Sequence, residues 1–498
     1  MNRNAQEQLF ALDRECRHLE KAVAVLQWDE ETNLPSGGVE DRAEQIALLQ
    51  GLWHRKCTDP QIGRLLDEAE AAGQSPRERD FCRVFRRNYD RALKLPEDLV
   101  RDAARAEGLS QAAWVEARRN NDFASFIPHL KAMIGFAQKK AGYWGFEGKR
   151  AYDGLLDIYE PGLTAAQTEA LFTPLREGLT RLLQRISRAA PPESAFLEKD
   201  YPVEEQARFN RELMEGLGFD TRRGRLDVSA HPFTSSLGFN DIRITTRYAA
   251  NQVLSGIFST IHESGHAFYE MGLAAELRGT CLAEGASMAV HESQSRLWEN
   301  VIGRSRPFWE YWFPRLKARF PGQLSEAGPD SFYRAVNLVR PSCIRVEADE
   351  VTYALHIILR FELEKQLFSG SLPVEELPGA WRRLMKECLG VEPVSDADGV
   401  LQDVHWSMGS FGYFPSYALG NLYGLLFWEA LRRDLPETET AIREGNLDAV
   451  HRWLREKIYS RGCSLEPAEL LKTVTGEKLS VTPFLRYLED KYTELYGL

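Results

Sequence analysis

Residues 260–269 read Thr-Ile-His-Glu-Ser-Gly-His-Ala-Phe-Tyr, and no other stretch of the 498-residue chain narrows fold and chemistry as much. His262 and His266 are four apart, so on a helix they share one face and both imidazoles can reach one metal ion. Glu263 follows the first His, where its carboxylate can reach a metal-bound water without taking a coordination position. Zinc is the default metal for two imidazoles, because it accepts nitrogen donors in a four-coordinate site that keeps one position open; Co2+ and Mn2+ are the substitutes. The competing reading is two unrelated His on an ordinary helix. Metalloprotease chemistry is the sharper expectation.

A third ligand must come from elsewhere. The elongated His-rich form of this motif needs Gly and His three and six residues after the second His. Tyr269 and Gly272 stand there instead, which excludes it. A Glu on a following helix is the other common solution, and Glu270, Glu276, Glu284 and Glu292 are the candidates. Glu270 is one turn along the same helix, too far for good tetrahedral geometry. Glu292 lies in Ala286-Ser-Met-Ala-Val-His-Glu-Ser-Gln-Ser-Arg-Leu-Trp298, a helical pattern with a polar patch at His291, Gln294 and Ser295. Glu292 is favoured, with Glu284 its competitor.

Composition sets the outer limits. Hydrophobic residues make up 43% and charged residues 27%, ordinary values for a globular protein. The net charge of −11, with no basic run to offset it, argues against nucleic-acid binding. The amino terminus continues into a charged amphipathic helix, unlike a secretory signal, and no apolar segment approaches a membrane span. The seven cysteines are scattered, odd in number and without a C-x-x-C pair, which fits a reduced cytoplasm and suggests neither a disulfide framework nor a thiolate zinc site.

The pattern along the chain is strongly helical. Residues 1–130 and 164–218 carry apolar positions at helical spacing. Residues 226–248 change texture, with β-branched residues in near-alternation and turn residues at Gly238 and Asn240, and read as a short hairpin. An edge strand there is able to pair with an extended peptide. Arg345 to Phe368 reads as one long helix. No linker separates domains, so the expectation is one mainly α unit over residues 1–498, with the chemistry in residues 226–425.

Six short motifs now stand together: His231-Pro-Phe233, Asp241-Ile-Arg-Ile-Thr245, His262 to His266, His291-Glu-Ser-Gln294, Ile344-Arg-Val-Glu-Ala-Asp349 and Gly399-Val-Leu-Gln-Asp-Val-His-Trp406. In this order they resemble the signatures of the carboxypeptidase Taq family of zinc metallocarboxypeptidases, and Trp28 to Pro35 looks like that family's opening segment. The resemblance implies His262, His266 and Glu292 as ligands of one Zn2+ per subunit, in agreement with the spacing argument. It implies Glu263 as general base for a metal-bound water, release of single amino acids from peptides with a free carboxyl terminus, and a homodimer. It also implies a neurolysin-like helical fold with a deep cleft between two halves.

A free α-carboxylate calls for a positioned cation, and the planar fork of Arg suits both oxygens. Arg345 is the family's candidate; Arg243, on the hairpin, is the runner-up. A salt bridge to Glu347 or Asp349 is the plainer role for Arg345. His405, Tyr413 and Tyr417 bracket a Gly-containing segment, read as a flexible loop whose donors face a tetrahedral oxyanion. His231 is a candidate for holding substrate backbone, or an anchor for the Pro232 turn. Asp241, Asp349 and Asp403 are open candidates for orienting a ligating His. The rivals are an endopeptidase or dipeptidyl carboxypeptidase on the same scaffold, and a silent metal-binding scaffold, which would have no use for Glu263.

Overall fold

A computed structural model describes residues 2–72 and 74–498. Helices run from Asn2–Thr32 to Thr482–Tyr496 and are interrupted by one small sheet, so the fold is mainly α. The residues that bury apolar surface form one large core, from Ala117 to Leu495, that surrounds the motif segment. A smaller cluster joins the amino-terminal helices, through Leu9, Ile62, Leu66, Phe81 and Phe85, to Leu277, Cys281, Leu282 and Cys463. Helix Val39–Cys57 buries no residue and rides on the first helix. No helix among the described residues is long and apolar enough to cross a membrane.

The sheet is mixed, in the order β1-β3-β2, with β1 Gly224–Val228, β2 Thr234–Gly238 and β3 Asp241–Thr246. The hairpin expected from 226–248 is β2 and β3, paired antiparallel. What the pattern missed is that β1 adds to the far side of β3 in parallel, from Gly224 opposite Ile242 to Val228 opposite Thr246. Parallel pairing needs no tight turn, so it leaves no turn signature between the strands. Ile242 and Ile244 of β3 point into the core against the motif helix, Val253–Gly272.

Two expected elements differ. Arg345 to Phe368 is not one helix: Arg345–Glu347 forms a single 3-10 turn, and the helix proper is Tyr353–Ser369. Asp349 causes the break, because its Oδ1 accepts from the backbone N–H of Val351 and of Thr352, each at 3.0 Å, and so competes with helical hydrogen bonding. The segment read as a loop around Tyr413 becomes helical at Phe414, and the helix runs to Asp434. Pro415 sits in its first turn, where proline is tolerated.

Candidate active site

The motif helix is buried along most of its length, and Gly265 lets a second helix cross it closely. A Cβ at Gly265 would lie 2.7 Å from the Cα of Ser295, on helix Met288–Arg296. Gly420, on helix Phe414–Asp434, is equally tight from the other side, where a Cβ would meet the Cγ of Glu292 at 2.6 Å. Glu292 is thus wedged between two helices whose glycines leave it one direction in which to extend. The helix that carries it is fixed at its start. Ser287 accepts from the N–H of Val290 at 3.1 Å, and buried Glu160 accepts from the N–H of Ala289 at 2.5 Å and from Ser416 Oγ at 3.0 Å.

Here His262, His266 and Glu292 converge, with ligand atoms all within 4.8 Å of one another. Glu292 Oε2 lies 3.7 Å from His262 Nε2 and 3.3 Å from His266 Nε2. Donors about 2.0–2.2 Å from a tetrahedral cation are separated by roughly 3.3–3.6 Å, so Glu292 already stands close to that distance from both imidazoles. Both Nδ1 atoms are already engaged, which aims each Nε2 inward. His262 Nδ1 is 2.8 Å from Glu299 Oε2, and His266 Nδ1 is 2.6 Å from His291 Nδ1. His291 Nε2 in turn is 2.9 Å from Glu270 Oε1.

Glu299 lies on the π-helical turn Leu297–Ile302 that continues the Glu292 helix. Arg296 bridges the two carboxylates, 2.7 Å from Glu292 and 3.2 Å from Glu299. Burial alone would raise both acids, yet Arg296 and His262 outweigh it and hold them well below the usual carboxylate range. Glu292 therefore stays ionised, as a ligand must. Burial pushes His266 down to about 4, so its ring is neutral and its Nε2 lone pair is available.

Glu263 is 6% exposed and faces the same space. Thr234 of β2 donates to its Oε2 at 2.7 Å, which fixes the carboxylate, and burial raises its pKa despite the opposing pull of His262 and Thr234. A carboxylate poised this way can take a proton from a nearby water.

The site opens into two cavities of about 650 and 670 Å3 that share Pro232, His262, Glu263 and Tyr417 in their walls. The first runs along β2 and the Glu292 helix, past Tyr413. The second holds His231, Arg345, Asp403 and His405. Tyr417 OH is 3.3 Å from His405 Nε2, so these two residues and Tyr413 meet on the boundary between the cavities. Burial and the neighbouring arginines push His405 down to about 3, against the opposing pull of Asp403. His231 is exposed on the rim, and its own carbonyl accepts from Ser229 Oγ at 2.6 Å, which ties the Pro232 turn.

Arg345 is buried, and its partner is neither Glu347 nor Asp349. Its Nε lies 2.9 Å and its Nη2 2.8 Å from Asp403 Oδ1, with Nη1 3.2 Å from Tyr353 OH. Glu347 pairs instead with Arg247.

Several candidates stand apart from the His262, His266 and Glu292 cluster. Arg243 binds Asp241 at 2.8 and 2.9 Å, stacks 4.4 Å over Trp28 and lines neither cavity, because outward-facing positions of β3 lead away from the cleft. Asp241, Asp349 and Asp403 are all spent on other partners, and none touches a ligating His. Glu299 and His291 do that work. Glu284 lines the first cavity but pairs with Arg17 at 2.5 Å and does not join the ligand cluster. Glu299 and Arg296 lie on one face with Glu292, at helical spacing, and that spacing was the available signal.

The chain matches the carboxypeptidase Taq (M32) metallopeptidase family over residues 8–492. It is 43% identical to thermostable carboxypeptidase 1 of Thermus thermophilus and 38% identical to carboxypeptidase 1 of Bacillus subtilis, with 99% of both chains covered in each case. The crystal structure of the M32 carboxypeptidase from Deinococcus radiodurans superposes with a TM-score of 0.97 at 40% identity, covering 99% of this chain and 100% of that one. Sequence, fold and the convergence of His262, His266 and Glu292 agree: the chain belongs to the carboxypeptidase Taq (M32) family and is a metallocarboxypeptidase.

Proposed function

We propose that the enzyme removes residues one at a time from free carboxyl termini of peptides, as one unit of residues 1–498 with its chemistry in 226–425. The observation that carries this reading is the shared wall of the two cavities: His262, Glu263 and Tyr417 stand between the first cavity and the one containing Arg345. In this reading the upstream peptide lies in the first cavity along β2, and the terminal residue enters the second. His262, His266 and Glu292 hold the cation, with zinc the choice for two nitrogens and one oxygen. When bound, such a cation polarises the scissile carbonyl and makes a neighbouring water more acidic. Glu263 takes the proton from the attacking water and returns it to the leaving amine. Tyr417, positioned by His405, and Tyr413 donate to the oxygen that gains charge. Arg345 binds the α-carboxylate, and His231 holds backbone at the rim.

Support for a reducing compartment comes from seven free cysteines. The homodimer rests on the family resemblance, and light scattering tests it.

The test is mass-spectrometric digestion of one peptide as free acid and as carboxy-amide, after stripping and restoring zinc, cobalt or manganese. A ladder of single-residue losses from the free acid alone is expected. Internal cuts or dipeptide release from both forms would replace this reading with an endopeptidase or dipeptidyl carboxypeptidase.

A further inference from the structure

Behind Arg345 lies a group that lines neither cavity. Arg360, on helix Tyr353–Ser369, has no solvent exposure, and its Nε lies 2.7 Å and its Nη2 2.5 Å from Asp403 Oδ2. Asp403 therefore gives one oxygen to each of two arginines, Oδ1 to Arg345 and Oδ2 to Arg360. The remaining Arg360 contacts are fixed as well: Nη1 donates to the carbonyl of His356 at 2.7 Å, and the guanidinium stacks 4.6 Å over Trp381.

Glu364 lies one turn from Arg360 on the same helix, and burial pushes it up to about 7, so below that pH it adds no charge to the cluster. His356 is buried and His405 half-buried at the cavity wall, and desolvation with the two guanidiniums pushes both rings far down, so each is neutral. Burial raises the Tyr417 phenol, which stays protonated. Asp403 stays ionised, because Arg345 and Arg360 outweigh the opposing effect of burial. Below about pH 7 two cations and one anion thus leave one positive charge in the cluster, and Arg345, Asp403, His405 and Tyr417 line the second cavity whereas Arg360 and His356 do not. Holding Arg345 in place would need Asp403 alone. A second buried guanidinium is costly to desolvate unless its charge is used. A neutral Arg345–Asp403 pair would attract an incoming carboxylate only as a dipole, whereas a surplus charge in a low-dielectric wall acts at full strength.

We infer that Arg360 supplies the surplus positive charge with which the Arg345–Asp403–Arg360 triad recognises the substrate's terminal carboxylate, making Arg360 a positioning and specificity-determining residue that never touches substrate. The inference rests on the reading of Arg345 as the carboxylate partner. The charge count gives it a distinctive test. Arg360→Met leaves the triad neutral, and adding Asp403→Asn returns it to one positive charge.

The experiment measures KM and kcat of the metal-loaded enzyme on an N-blocked tripeptide with a free carboxyl terminus. Wild type, Arg345→Met, Arg360→Met and Arg360→Met/Asp403→Asn are compared, with folding followed by thermal melting. Arg360→Met is expected to raise KM about tenfold or more with kcat changed less than about threefold, since charge-assisted hydrogen bonds are the ones weakened. The double variant is expected to recover most of that loss. If Arg345→Met raises KM and Arg360→Met does not, the triad is overturned while the Arg345 reading stands. If Arg345→Met leaves KM unchanged, both fall together. A double variant worse than Arg360→Met would make Arg360 a packing residue only and overturn the inference. Should Arg360→Met not fold, the double variant decides: KM within about threefold of wild type supports the surplus charge, and a rise of tenfold or more overturns it.

Discussion

Around His262 and His266 the carboxylates of Glu263, Glu270, Glu292 and Glu299 face the guanidiniums of Arg296 and Arg304. Around Arg345 the proportion is reversed, with two guanidiniums on the single carboxylate of Asp403. The first cluster carries an excess of negative charge that a divalent cation would neutralise, and the second an excess of positive charge that a carboxylate would neutralise. Tyr353 lies between them: Arg296 stacks 4.1 Å over its ring, and its hydroxyl accepts from Arg345. In the proposed reading one cleft thus has an end for chemistry and an end for recognition, built from the same residue types in opposite ratio. On that proposal, the spacing between the ends would set how far from its terminus a peptide is cut.

The comparison breaks hardest at Glu263. Glu263→Gln should lower kcat about 10²–10⁴-fold while cation content, measured by atomic emission on the purified protein, stays at the wild-type level. A loss of cation together with activity would make Glu263 a ligand and not a base.

The next effect sharpens the cation end. Glu299→Gln and His291→Phe remove the groups that aim His262 and His266, and each should weaken cation affinity about 10–100-fold by chelator competition. Neither should change the ratio of free-acid to carboxy-amide cleavage once the site is saturated. A shift in that ratio would mean the two ends are not separable.

Gly420→Ala tests the wedge around Glu292. The new methyl would meet Glu292 Cγ at 2.6 Å, so a loss of about 1–3 kcal/mol in stability is expected, with weakened cation binding. Unchanged melting and affinity would show that the Glu292 helix can shift freely.

The last effect comes from two buried carboxyls that support the two ends. Glu160 and Glu364 form no ion pair among the described residues, and burial, against the hydrogen bonds they accept, pushes each up from 4.5 to about 7. Between those values the folded protein keeps protons that the unfolded chain releases, so each lowers stability as pH rises through that window. Glu364→Gln should flatten the decline in melting temperature from pH 5 to pH 8, an effect on the order of 1–3 kcal/mol. An unchanged slope would assign the decline to other groups.

What the sequence disclosed follows from how local the signal is. His262, His266 and Glu263 sit within one helical turn and a quarter, and Glu292 lies on the next long helix, so spacing alone reached the cluster. Arg296 and Glu299 were within reach of the same reasoning, one and two turns from Glu292. Asp403 was not: its partners Arg345 and Arg360 lie 58 and 43 residues away, and no periodicity links such positions. Asp349 resembled a residue for orienting His, yet its work is to turn the chain before Tyr353. Gly265 and Gly420 are the contacts that admit the Glu292 helix, and no local pattern marks a glycine for such a close approach. Gly409, Gly412 and Pro415 made the Tyr413 segment look like a loop, because the same residues punctuate turns and start helices.

The most direct test of the two-ended cleft is the ratio of kcat/KM for one peptide as free acid and as carboxy-amide, in wild type and in Arg345→Met. A large preference for the free acid is expected in wild type, falling about 10–100-fold in the variant with amide turnover unchanged. A preference that survives the loss of Arg345 would contradict the two-ended cleft.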